Sequence, residues 1–185
     1  AQLDKLHKHF SKPVENSEGI CEKMIHLSEQ RVFEILNDNS FHDEIRELIN
    51  EGHIKEGKDE RTLQAYIWTR LIREITLKEV EKFYPHYTIN VELYDKNKDT
   101  PDITIRKKND YTDIFVAIEI KHHSGKSIGP TEWEKIYKDI KTLKSKNYGI
   151  FIMTRSELED YDHEYLKIEE MTGIDTRVIY IDVLK

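Results

Sequence analysis

The chain has few of the residues that staple or interrupt small proteins: one cysteine, four prolines and seven glycines in 185 residues. A lone Cys21 excludes an internal disulfide and a cysteine-rich zinc site, and it fits a reducing compartment. No apolar run reaches the about 18 to 20 residues needed to span a bilayer, so no membrane partner is expected. The first residues lack the apolar core of a signal peptide. The chain therefore reads as soluble and cytoplasmic. An excess of positive charge is also lacking, since 29 Lys and Arg stand against 36 Asp and Glu for a formal net charge of −7. That argues against a protein that coats nucleic acid by charge alone. It leaves room for an enzyme whose carboxylates hold cations.

What is present is a globular pattern with a charged surface, 37% hydrophobic and 35% charged. The length suits one domain with a substantial core. Charge is not evenly spread: between Lys98 and Lys146 eleven Lys and Arg face eight Asp and Glu. This segment is the one expected to meet phosphate.

No repeat, low-complexity tract or linker divides the chain. Residues 1–52 read as a helical cap, with a stripe of Ile20, Met24, Leu27, Phe33 and Leu36, a second helix from Phe41 to Ile49, and a stop at Glu51-Gly52. Residues 53–185 read as the main domain. Its first element is a long helix from Lys58 to Phe83, capped by Asp59 and buried along Leu63, Ile67, Leu71 and Ile75. Strands follow at Tyr87–Tyr94, Asp102–Arg106 and Thr112–Lys121. A helix over Thr131–Lys144 buries Trp133, Ile136, Ile140 and Leu143. A strand at Tyr148–Met153, a helix over Ser156–Met171 and a strand at Val178–Leu184 complete the pattern. Short links among the first three strands predict a meander. The later strand–helix–strand steps predict parallel pairs, giving a mixed α/β sheet flanked by helices.

The chemistry concentrates in Thr100-Pro-Asp-Ile-Thr-Ile-Arg106 and Phe115-Val-Ala-Ile-Glu-Ile-Lys121. Strand side chains alternate faces. Glu119 and Lys121 are therefore expected to share a face with Phe115 and Ala117, while Ile114, Val116, Ile118 and Ile120 enter a core. Asp102 opens the neighbouring strand. On the preceding helix Glu60 and Gln64 fall on the face that carries Ile67 and Leu71. Carboxylates from separate elements are the hard oxygen ligands that Mg2+ takes.

This set, Asp102 after Pro101, Glu119-Ile-Lys121 on the next strand, and a helix opening Asp59-Glu-Arg-Thr-Leu-Gln64, resembles the PD-(D/E)XK nuclease superfamily. The resemblance covers about Lys58 to Met153 and implies a restriction-endonuclease-like αβββαβ core. It implies Glu60, Asp102, Glu119 and Lys121 as catalytic residues. The first three, with the carbonyl of Ile120, would be ligands of Mg2+, for which Mn2+ would substitute. The implied activity is endonucleolytic hydrolysis of DNA. Gln64, His123 and Lys126 are the candidate substrate contacts, and a homodimer is expected by analogy. Glu92 is a weaker ligand candidate. Asp139-Ile-Lys-Thr-Leu143 is shifted by one from a helix pattern of one subgroup and carries little weight. Lys135, Lys138, Lys141 and Lys144 form a basic helix face open to solvent or to substrate. Gly125-Lys126-Ser127 echoes a phosphate loop whose first glycine would fall at Ile120, so a nucleotide-binding loop is rejected. Other readings are a non-catalytic nucleic-acid or protein-binding module on the same fold, or a nuclease for RNA or branched DNA.

Overall fold

The architecture was read from a computed structural model that describes residues 26–55, 58–78, 87–91, 100–108, 110–123, 127–156 and 161–183. Five α-helices and five strands are described: α1 Glu29–Leu36, α2 Asn39–Asn50, α3 Glu60–Leu71, β1 Tyr87–Val91, β2 Ile103–Lys107, β3 Asp110–His122, α4 Pro130–Lys144, β4 Gly149–Ser156, α5 Asp162–Met171 and β5 Thr176–Val183. From α3 to β4 the order is α-β-β-β-α-β. The strands form one mixed sheet in the order β1-β2-β3-β4-β5. The first three pair antiparallel, β2 and β3 across a short link, and β3-β4-β5 are parallel, as helical crossovers require.

The sheet separates two cores. On one face α1, α2 and α3 bury Leu36, Ile45 and Ile67 against Ile105, Ile118, Ile120 and Ile150. The supposed cap thus shares a core with the sheet. On the other face α4 and α5 bury Trp133, Ile136, Ile140 and Ile168 against Ala117, Phe151 and Met153. Each fully buried aliphatic side chain contributes about 1.5–3 kcal/mol.

Local signals set most boundaries. Ser28 accepts from Arg31 N at 3.1 Å, so α1 starts at Glu29. Residues 26–28 are not helical, so no helix runs unbroken through them to Leu36; residues 20–25 of the expected helix lie outside the described residues. Asp38 caps α2 through Phe41 N at 3.0 Å. Gly52 ends it at φ 79°, where His53 N reaches Leu48 O at 2.9 Å. Asp59 does not cap α3; its carboxylate turns back onto Lys55 N at 2.9 Å. Past Leu71 the helix widens into a π-helical turn, Ile72–Leu77, and residues 79–83 of the expected long helix lie outside the described residues. Pro130 opens α4, where a missing N–H costs nothing. Gly149 follows because a Cβ there would lie 2.9 Å from Leu143 Cβ.

Two expectations fail for identifiable reasons. The register jumps from Ile105↔Val116 to Arg106↔Ile114, so Phe115 is an extra residue in β3. Alternation inverts across that bulge. Phe115 packs on the first core and Ile114 on the second, opposite to the simple reading. Ser156 does not begin a helix; it is the buried last residue of β4, whose pairing with β5 continues through Ser156↔Val183.

Candidate active site

β3 outruns β2, and the site is built on the overhang. The last β2 partner is Ile103, opposite Ile118, whereas β3 continues to His122. Backbone groups of successive strand residues point to opposite edges. Ala117 N donates to Tyr148 O on the β4 side, so Ile120 and His122 present their N–H groups to the β2 side. With no β2 main chain opposite them, carboxylates serve instead. Asp102 Oδ2 accepts from Ile120 N at 2.7 Å. Glu60 Oε2 accepts from His122 N at 3.3 Å. Gln64, one turn beyond Glu60, donates through Nε2 to Asp102 Oδ1 at 2.7 Å. The carbonyl of Ile120 points to the same edge as its N–H.

Glu119 and Lys121 leave β3 toward α4. Lys121 Nζ lies 2.8 Å from Glu119 Oε1 and 3.2 Å from Asp139 Oδ2, so it joins a strand acid to a helix acid. The sequence places Asp139 only near a shifted subgroup pattern. Its link to Lys121 depends on how α4 crosses the sheet. A second polar cluster backs the site. His122 is buried, with Nδ1 2.7 Å from Thr154 Oγ1 and Nε2 3.0 Å from Lys55 O. A carbonyl can only accept, so Nε2 carries a proton and donates to Lys55 O. Thr154 also accepts from His123 N at 3.1 Å, tying the chain before α3 to β3 and β4.

Glu60, Asp102, Glu119, Lys121 and His123 line one cleft of about 540 Å3, whose α4 wall carries Glu132, Lys135, Lys138 and Asp139. Lys141 and Lys144 do not line it; they lie in the last turn of α4, where the helix dipole favours them. Gln64 donates to Asp102 and is not among the residues that line the cleft. Lys126 and Glu92 lie outside the described residues.

The cleft holds five carboxylates against three lysines. Burial pushes the Asp102 carboxyl up to about 6, against the opposing pull of Ile120 N–H and Lys121, while Glu60 and Asp139 add to the rise. Burial likewise pushes Glu119 up to about 8, with Lys121 opposing and Asp102 adding. Burial works against the Lys121 ammonium, yet Glu119, Glu60 and Asp139 hold its pKa above the usual lysine range. The lysine therefore stays charged, whereas Asp102 and Glu119 hold their protons to higher pH than ordinary carboxyls do.

The donor set suits a hard divalent cation: carboxylate oxygens, a main-chain carbonyl on the same edge, and negative charge that a cation would neutralise. Among the described residues no group of three His, Cys, Asp or Glu is already gathered as a metal cage. The hydrogen bonds explain this, because each acid is turned onto a donor of the protein itself. No helix among the described residues is long and apolar enough to cross a membrane. Comparison with family models, with curated proteins and with solved structures yielded no match.

Proposed function

We propose that this chain is a Mg2+-dependent nuclease that hydrolyses DNA phosphodiester bonds on a restriction-endonuclease-like core. One observation carries the reading: Glu60 from α3, Asp102 from the start of β2, and Glu119 and Lys121 from β3 line a single cleft. The α-β-β-β-α-β order around that cleft supports it. So does the charge balance. A phosphodiester entering a cleft of five acidic side chains and three lysines would be favoured by added positive charge.

Asp102 and Glu119, with Glu60 and the Ile120 carbonyl beside them, would hold the cation. Bound there, a divalent ion supplies a more acidic water and neutralises charge on the phosphate. The protein does the rest. Gln64 and Ile120 N–H fix the Asp102 carboxylate, so little ordering is left for the reaction itself. Lys121, an ammonium beside Glu119 and Asp139, would orient the attacking water or help deprotonate it and stabilise charge developing on the phosphoryl oxygens. Lys135 and Lys138 on the α4 wall would receive the phosphates on either side of the scissile one.

The test is cleavage of plasmid and of labelled oligonucleotides with Mg2+ or Mn2+, alongside Asp102→Ala and Lys121→Ala. Cleavage by the unmodified protein alone supports the reading. Equal cleavage by all three rejects it. A binding module without catalysis is the second reading, favoured by the internal donors that already occupy each acid. Tight DNA binding without divalent-ion binding would select it. RNA and branched-DNA substrates in the same assay decide the substrate class.

A further inference from the structure

Lys121 has two acidic partners, and the nuclease reading requires one of them to be elsewhere. Its ammonium is 2.8 Å from Glu119 Oε1, and its side chain is only 18% exposed. If Glu119 turned to a divalent ion, an ammonium with no other partner would stand buried beside that ion, repelled and unpaired. It would compete with the ion for the same carboxylate. Asp139 removes that conflict. Its Oδ2 lies 3.2 Å from Lys121 Nζ, it comes from α4 rather than from β3 or the start of β2, which carry Glu119 and Asp102, and it lines the same cleft.

We propose that Asp139 is the alternate counter-ion of Lys121, a positioning residue that takes over the ammonium when Glu119 engages the metal. This rests on the nuclease reading above. Asp139 then keeps the charge aimed into the cleft from the α4 wall, beside Lys135 and Lys138. Its own role is to free Glu119, not to hold the ion.

The experiment measures Mn2+ affinity by electron paramagnetic resonance or calorimetry, without substrate, for the whole chain. Asp139→Asn, Asp139→Glu, Lys121→Met and the double variant Lys121→Met/Asp139→Asn are compared with the unmodified protein, after thermal melts establish folding. Asp139→Asn should weaken Mn2+ binding roughly 10- to 100-fold, the range seen when a ligand's supporting partner is removed. Asp139→Glu should restore most of it. In the Lys121→Met background no ammonium competes for Glu119, and the same Asp139→Asn change should cost at least about threefold less. A loss that shrinks by less than that marks Asp139 as a ligand or a bare charge, and overturns the inference. So does an Asp139→Asn variant that binds Mn2+ normally. Absence of Mn2+ binding by the unmodified protein rejects the nuclease reading, and this inference with it.

Discussion

The two halves of the Val116–His122 stretch of β3 differ in sequence, apolar against charged, and do different work. From Val116 to Ile118 the strand lies between β2 and β4, and main-chain partners satisfy its edges. From Glu119 to His122 it still pairs with β4, but on the other edge the carboxylates of Asp102 and Glu60 stand where β2 would be. The first half is core. The second turns an unfinished sheet edge into a site, because a strand with an unpaired edge attracts acceptors, and acceptors that are carboxylates attract cations. The cost is visible in half-buried Asp102 and buried Glu119, both held above their ordinary range. A comparison of this kind can be broken from either side.

The largest effect should come from the overhang. Asp102→Asn keeps the shape and removes the charge, and should lower Mg2+-dependent cleavage by about 100-fold or more, on the scale of losing one transition-state group. Its melting temperature should stay near or above that of the unmodified protein, since a buried carboxylate is neutralised. The paired half should behave in the opposite way. Ile118→Ala should cost about 2–5 kcal/mol of stability in a denaturant titration, with cleavage per folded molecule retained.

Titration offers the next contrast. Asp102 and Glu119 have ordinary pKa values of 3.8 and 4.5, raised in the folded chain to about 6 and about 8. The folded state therefore holds extra protons between those limits. By linkage, stability is greatest below the window and falls as pH rises through it. The metal-free melting temperature should accordingly drop from about pH 5 to pH 8. Mg2+ should reverse the drop at the alkaline end, and Glu119→Gln should flatten it. Asp38 and Glu74 are lowered, Asp38 mainly by Ser40 and the Phe41 N–H, and Glu74 by Lys78 and Arg70 against burial, so they act only at lower pH.

Smaller effects separate the walls of the cleft. Gln64→Leu should cost about 1 kcal/mol of stability, the worth of one hydrogen bond, and lower cleavage by loosening Asp102. Lys135→Ala and Lys138→Ala should each reduce the salt dependence of DNA binding by about one counter-ion. Lys144→Ala, away from the cleft, should leave it unchanged.

Much of this was legible in the chain, for a physical reason. Alternation along Val116–Ile120, the helical spacing of Glu60, Gln64 and Ile67, and the short link from β2 to β3 are local, and local rules place them. The inversion at Phe115 was not legible, because a bulge depends on what the partner strand offers. Ser156 looked like a helix start, yet pairing with β5 extends β4 through it. The link from Lys121 to Asp139 joins residues eighteen apart across a loop and a crossover helix. The chain before α3 is tied through His122 and Thr154 by contacts that no spacing rule anticipates.

The central claim is that the overhanging end of β3 gathers carboxylates for a divalent ion. A crystal structure grown with Mn2+, with anomalous scattering recorded at the manganese edge, tests it most directly. The account predicts one strong peak between the Asp102 and Glu119 carboxylates, with Lys121 Nζ moved onto Asp139. A well-ordered cleft with no peak, and with Lys121 still on Glu119, would contradict it.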